Sequence, residues 1–381
     1  MMIAEKRKVL FITGTRADYG KLKSLIKILN DDDKFEVFIF ATGMHMLSKY
    51  GFTYKEIEKD GFSYIYQFIN QSTDTSMDLA LSNTINGLSY YIDETNPNAI
   101  VVHGDRLEAL AGAIVGAFNN IPVLHIEGGE ISGTIDESIR HAITKFSHFH
   151  FVSNEDAKKR IIQLGEPKEN IFVFGSPDID IMYSDRLPSI DEVKKYYEIP
   201  FDNYNILMYH PVTTEINQIE KHISAVIETI LSSNDNYVVI YPNNDEGSDI
   251  IIKEYEKLRG NNRFKIFSSM RFEYFLSLLR STDCMIGNSS SGIRETSIYG
   301  IPTIDIGTRQ NGRYDENKFQ HIIHVTEDEF NLEHIDNVKK IVAPSLSYFG
   351  NGKSDLIFHE ILSDSKIWDI NIQKQFIDID F

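Results

Sequence analysis

AIVVHGDRLEALAGAIVGAFNNIPVLHIEGG, residues 99–129, decides the fold. Its opening run is β-branched and apolar without polar alternation, the pattern of a strand buried on both faces. A helical pattern follows over about 106–118, and VLHI at 123–126 is a second buried strand. Strand, helix and strand in this order build a parallel sheet, so the polar residues that follow the two strands lie side by side.

The same alternation extends in both directions. Upstream lie KVLFIT (8–13), a helix over about 18–29, FEVFIFAT (35–42) and a helix near 77–94; downstream lie a helix near 137–147, FHFVS (149–153) and IFVFG (171–175). After the charged, Pro-containing segment SDRLPSIDEVKKYYEIP (184–200), a second series begins. It runs NILMYH (205–210), helix, YVVIYP (237–242), helix, FKIFS (264–268), helix, CMIG (284–287), helix and PTIDIG (302–307). The expected fold class is α/β, with two Rossmann-like domains facing across a cleft. The expected divisions are 1–178, 179–365, and a C-terminal helix at 366–381, whose packing against the first domain the sequence leaves open.

Composition agrees with this division. A chain of 381 residues exceeds one ordinary hydrophobic core, and 42% hydrophobic with 25% charged residues is usual for a globular protein. A formal charge of -18 argues against nucleic acid as a partner, because phosphate backbones are bound by basic surfaces. No run approaches the roughly 20 apolar residues of a membrane span, so no membrane association is expected. The single Cys284 can make no intrachain disulfide and no Cys/His spacing resembles a metal site, which fits a reducing, cytoplasmic setting and no metal.

In parallel sheets ligands bind beyond the carboxyl ends of the strands, and these ends are polar here. After the first strand, Gly14 to Gly20 places Arg16 beside the amides of a helix start, where a phosphate could sit; alone, it is equally a Gly-rich turn with a solvated Arg. Asp105 and Arg106 end the strand at 99–104 and could equally be a cap and an ion pair. The cluster HIEGGEISGTIDESIRHA (125–142) carries Glu127, Glu130, Asp136 and Arg140 around paired glycines. Carboxylates converging there with Asp105 would raise one another's pKa, which suits one as acid and another as base. In the second series, His210 precedes a proline, Asn243 follows a strand, and Asn288–Glu295 joins a buried strand to a helix. Ser289 and Ser290 offer hydroxyls and amides to a diphosphate, and Glu295 could accept both hydroxyls of a ribose. Arg309 and Arg313 close the next strand. Ordinary capping and surface turns would account for each motif alone, whereas together they suggest a nucleotide-diphosphate grip in one domain and carboxylates in the other.

GTRADYGKL, FATGMH, HGDRLEALA, HIEGGEISGTIDESIRHAITK, HPVTT, YPNND, IGNSSSGIRE and GTRQNGR resemble, in order, the hydrolysing UDP-N-acetylglucosamine 2-epimerases of sialic-acid synthesis. The similarity runs from about residue 8 to 315 and is weaker beyond. It implies a GT-B-like fold, no cofactor and no metal. The implied reaction converts UDP-N-acetylglucosamine and water to N-acetylmannosamine and UDP, for capsule or surface polysaccharide. By motif, Asp105 and Glu127 match the catalytic carboxylates, and Asp136 and His210 match supporting residues, with Glu130 a second candidate. Arg16, Arg106, Asn243, Ser289, Ser290, Glu295 and Arg309 match UDP contacts, and His45 and Arg140 in the same blocks are further candidates for substrate contact. The family also implies a homo-oligomer, dimer or tetramer.

The chemistry is consistent with that assignment. The sugar C2 proton has no adjacent carbonyl, so UDP must leave first or concurrently, and carboxylates can stabilise the resulting oxocarbenium character at C1. A glycal remains, to which water and a proton add. A glycosyltransferase of the same fold, a non-hydrolysing epimerase, a hydrolysing epimerase for the diacetamido-trideoxy UDP-sugar of legionaminic-acid synthesis, and a non-catalytic UDP-sugar binder stay open as alternatives.

Overall fold

In the computed structural model, which describes residues 6–72, 75–131, 135–184, 187–242 and 246–378, the strand-helix alternation forms two separate parallel sheets. The first contains β1 (Arg7–Thr13), β2 (Phe35–Ala41), β3 (Tyr64–Gln67), β4 (Ala99–His103), β5 (Val123–Ile126), β6 (Phe149–Val152) and β7 (Ile171–Val173). Their order is β3-β2-β1-β4-β5-β6-β7, with every pair parallel. Chain order reverses between β1 and β4. That switch point is where a crevice opens in such sheets.

β1 shows why the strands look uniformly apolar. Val9 and Phe11 face a core that includes Leu22 and Ile26, while Leu10 and Ile12 face another that includes Leu88 and Ala113. Successive side chains alternate between faces, and both faces are covered by helices. The helix Arg16–Asn30 is capped by Thr15, whose side chain accepts from the Asp18 amide. It buries Leu22, Leu25, Ile26 and Leu29 along one stripe.

The second sheet contains β8 (Asn205–Met208), β9 (Tyr237–Ile240), β10 (Phe264–Phe267), β11 (Met285–Gly287), β12 (Thr303–Ile306) and β13 (Ile322–Val325). Its order, β10-β9-β8-β11-β12-β13, repeats the doubly wound plan, with the switch between β8 and β11.

The division of the chain differs from the expected one. The compact units are Met1–Tyr183 with Tyr348–Phe381, and Ser184–Ser347. Residues 348–365, expected in the second domain, belong to the first because the helix Ser354–Ser363 packs on the Arg16–Asn30 helix. Phe358, fully buried, meets Phe151 at 4.9 Å between ring centroids, a burial that contributes about 1.5–3 kcal/mol. Asp180 receives the Ser354 amide at 2.9 Å and fixes the start of that helix. The tail beyond it packs on the first unit and is not the expected helix. After a short 3-10 turn at Ser365–Asp369 it runs irregularly to Asp378. Lys374 holds it by bonding Glu166 at 2.6 Å and the carbonyls of Lys145 and Ser147 at 2.9 and 2.6 Å. Among the described residues, no helix is long and apolar enough to cross a membrane.

Candidate functional site

At the switch point of the first sheet, the turn after β1 meets the turn after β4. His103, the last residue of β4, links the segment after β1 to the end of β5: Nδ1 lies 3.1 Å from Asp18 and Nε2 lies 3.0 Å from Glu127. Burial alone would lower the pKa of this imidazole, but hydrogen bonds to the two carboxylates and their charges raise it from 6.5 to about 9. His103 is therefore an imidazolium at neutral pH, with both N–H groups donating.

Glu127 sits at the centre of a buried polar group. Lys21 Nζ lies 2.7 Å from Glu127 and 3.2 Å from Asp178, and the Ser176 hydroxyl donates to the other Glu127 oxygen. Glu127 is 5% exposed and has φ +60°, a left-handed conformation that costs a non-glycine residue about 1–3 kcal/mol. Its amide is fixed to Phe151 O at 2.8 Å, so backbone and side chain are both constrained where the strand ends.

Asp105 is positioned by a neighbouring histidine. His125 is buried and its pKa falls to about 3, chiefly through desolvation, so the ring is neutral. Its Nε2–H donates to Gly104 O at 2.8 Å and its Nδ1 accepts from Thr144 at 3.2 Å. Gly104, at φ +69°, turns the chain so that Asp105 follows. The buried Arg140, on the helix Ile135–Phe146, donates one guanidinium nitrogen to Asp105 and another to Glu130 O at 2.7 Å. The Glu130 carboxylate instead receives the Ser153 hydroxyl.

Two adjoining cavities open here. One, of about 500 Å³, is bordered by Arg16, Asp18, Lys21, His103, Asp105 and Arg106. The other, of about 280 Å³, shares Asp105 and Arg106 and adds Asp136 from the first turn of the Ile135–Phe146 helix. Arg16 makes an ion pair with Glu56 at 3.1 Å. His45 needs correction as a substrate contact. It is fully buried, and both ring nitrogens are engaged, Nε2 with Thr13 at 3.0 Å and Nδ1 with Thr53 at 2.7 Å. Its pKa falls to about 4 by desolvation, and it links β1 to the loop after β2.

The second unit gathers a separate group. Asn288, fully buried after β11, accepts the His210 amide at 2.6 Å and donates to the His210 carbonyl at 2.9 Å. The Asn288 carbonyl receives Arg309 at 3.1 Å and Gln310 at 2.8 Å. Ser289 caps the 3-10 turn Ser290–Gly292, accepting from the Ser291 amide at 3.3 Å, and Glu295 lies buried in the first turn of the six-residue helix Arg294–Tyr299. His210, Ser289, Ser290, Glu295 and Arg309 thus cluster around the β8–β11 switch point, while Asn243 falls outside the described residues. No group of three metal-ligating side chains occurs among the described residues.

Sequence reasoning overlooked Lys21, Ser176 and the role of Asn288. Lys21 was findable: it stands one helical turn after Asp18 and therefore on the same face of the helix. His103 gives a stability prediction. Its folded pKa lies above its unfolded value, so its contribution is fully present below about pH 6.5 and is lost as pH rises through about 9. The unfolding free energy from denaturant titrations should fall across that window by up to ~3 kcal/mol, and His103→Gln should flatten the fall. A wild-type profile flat from pH 6.5 to 9 would count against the imidazolium.

Two parallel α/β units, each with polar residues gathered at its switch point, define a GT-B-like fold. A solved UDP-GlcNAc 2-epimerase from Neisseria meningitidis, bound to UDP-GlcNAc, shares it with a TM-score of 0.77 at 18% identity, over 93% of this chain and 99% of that one. The chain belongs to the UDP-N-acetylglucosamine 2-epimerase family, which it matches over residues 27–363. It is 44% identical to a UDP-N-acetylglucosamine 2-epimerase of Neisseria meningitidis serogroup B, over 98% of this chain and 99% of that protein. It is 36% identical to a UDP-N,N'-diacetylbacillosamine 2-epimerase (hydrolyzing) of Legionella pneumophila, over 81% of this chain and 82% of the relative.

Proposed function

We propose that the chain is a hydrolysing UDP-N-acetylglucosamine 2-epimerase, converting UDP-N-acetylglucosamine and water to N-acetylmannosamine and UDP for sialic-acid synthesis. The observation that supports it most directly is the pair Asp105 and Asp136 bordering one cavity, beside a Glu127 ringed by Lys21, His103 and Ser176. In the first step the C1–O bond to phosphate breaks and its electron pair leaves with UDP. A carboxylate removes the C2 proton, and the electron pair of the broken C2–H bond forms the C1–C2 double bond of a glycal. In the second step water adds its oxygen at C1, and a proton reaches C2 from the opposite face, giving the manno configuration.

Asp105, Glu127 and Asp136 share the acid and base roles in this reading and are treated as a coupled set. Glu130, bonded to Ser153, supports Arg140 through its carbonyl. Arg16, Arg106 and His210 stabilise the departing diphosphate, and Asn243, Ser289, Ser290, Glu295 and Arg309 hold UDP.

The Legionella relative, described as hydrolyzing, favours UDP release over return of the UDP-sugar. Its name also favours a second reading, in which the substrate is a UDP-2,4-diacetamido-2,4,6-trideoxy-glucose. Rates of UDP release from the two sugars decide between them. We expect kcat/KM for UDP-N-acetylglucosamine to be at least about tenfold higher, the discrimination that one or two substituent contacts supply. The opposite ratio would establish the second reading, and binding of both sugars with neither UDP released nor the UDP-sugar epimerised would mark a sensor.

A further inference from the structure

The chain beyond the 3-10 turn at Ser365–Asp369 adds little to the core, yet it is held in place. None of residues 371–378 is buried, and Phe376 among them is 91% exposed. Its attachments are polar. His148 Nδ1 accepts the Val123 amide at 3.1 Å, so Nε2 carries the proton and donates to the Ile372 carbonyl at 3.1 Å. Two residues on, Lys374 Nζ reaches the carbonyl oxygens of Thr144, Lys145 and Ser147 at 3.3, 2.9 and 2.6 Å, and Glu166 Oε2 at 2.6 Å.

Those carbonyls end the helix Ile135–Phe146, which carries Asp136 in its first turn and Arg140 further along. The last carbonyls of a helix have no partner within it, and an ammonium there also meets the negative end of the helix dipole. Thr144 connects this end to the site. Its hydroxyl donates to His125 Nδ1 at 3.2 Å, and His125 Nε2 donates to Gly104 O at 2.8 Å, on the peptide that leads into Asp105. We infer that Lys374 is a positioning residue for the acid-base set: by closing the helix end it holds Thr144 against His125, and so fixes the backbone that presents Asp105. The inference rests on the reading that Asp105 belongs to that set.

A tether that merely secured the tail would alter melting and leave the chemistry of the folded enzyme alone. Lys374→Met separates the two. Glu166 keeps Lys145 at 2.6 Å and His150 at 3.2 Å after the change, so no buried carboxylate loses its last partner and the variant should fold. The experiment measures UDP release from UDP-N-acetylglucosamine by the full-length wild type, Lys374→Met, Lys374→Arg, Thr144→Val, and Lys374→Met combined with Thr144→Val. Each is assayed at a temperature where circular dichroism shows it folded. Lys374→Met should lower kcat and kcat/KM together by at least about tenfold, because a displaced reacting group slows chemistry while the UDP contacts of the second unit are untouched. Lys374→Arg should restore most of the rate, since a guanidinium can donate to the same carbonyls. Thr144→Val should also lower kcat, and the combined variant should be no slower than the slower single one, because both changes break one connection.

A folded Lys374→Met with wild-type kcat would overturn the inference alone, as would a rise in KM at unchanged kcat. Effects that multiply in the combined variant would overturn it too, because Lys374 would then act apart from Thr144. If Lys374→Met does not fold, Lys374→Gln takes its place, and an unchanged kcat there overturns the inference equally. No UDP from the wild type would overturn the parent reading, and the inference with it.

Discussion

Asp105→Asn should slow UDP release by about 100- to 10,000-fold, the range expected when a group that moves a proton in the transition state loses its charge. The substitution is isosteric, and Asn keeps an oxygen to accept from Arg140, so the contact between the β4 turn and the Ile135–Phe146 helix can persist. What changes is electrostatic. Arg140 is buried, and its ion pair with Asp105 is lost when that carboxylate becomes an amide. Some loss of stability is therefore expected with the loss of rate, and the two must be measured together. A variant that stays folded at the assay temperature and has lost its rate supports Asp105 at the reacting centre. Near-normal turnover in Asp105→Asn would remove it from the acid-base set and leave Glu127 and Asp136 to carry the reaction.

The second large effect is on stability and comes from the other unit. Gly287 ends β11 at φ +136°, a conformation open in practice to glycine, and a Cβ there would stand 2.0 Å from the Met208 carbonyl oxygen of the neighbouring β8. Gly287→Ala must either push β8 and β11 apart or rotate the peptide that presents Asn288. We expect about 3–5 kcal/mol of destabilisation, read from denaturant midpoints, and weaker UDP affinity, because Asn288 fixes His210 and receives Arg309. Gly20→Ala is the matched control. Gly20 lies inside the Arg16–Asn30 helix and a Cβ there meets nothing within 4 Å, so the change should stabilise by about 0.5–1 kcal/mol. Similar midpoints for the two variants would contradict the close approach at Gly287.

The contrast between these two glycines shows what the sequence could and could not convey. Both sheets were legible because their central strands are buried on both faces, which leaves uninterrupted runs such as AIVV and VLFI. The edge strands β3 and β13 were not. Tyr64 and Tyr66 of β3 are 46% and 41% exposed, and a half-solvated run of four residues has no pattern that separates it from a loop. The return of the chain to the first unit was hidden for a different reason. Phe358 and Leu362 complete a core whose other members lie some 200 to 350 residues earlier, and nothing local to them says which core they join.

The candidate site divides in the same way. Carboxylates at strand ends could be found by pattern, since the ends of β4 and β5 must be neighbours once the sheet is parallel. His45 was a candidate because it stands in a block shared with the family, and only the three-dimensional partners Thr13 and Thr53 show that its nitrogens are spent on the framework. The converse holds for His103, which ends a strand and is largely buried yet is charged, because its two partners are carboxylates instead of hydroxyls.

The central claim is that the C2 proton of the sugar is exchanged with solvent as UDP leaves. Incubation with UDP-N-acetylglucosamine in heavy water, followed by NMR of the products, tests it directly. The account predicts free UDP and N-acetylmannosamine with one deuterium at C2, in equal amounts. Deuterated UDP-sugars without free UDP, or N-acetylmannosamine with hydrogen retained at C2, would contradict it.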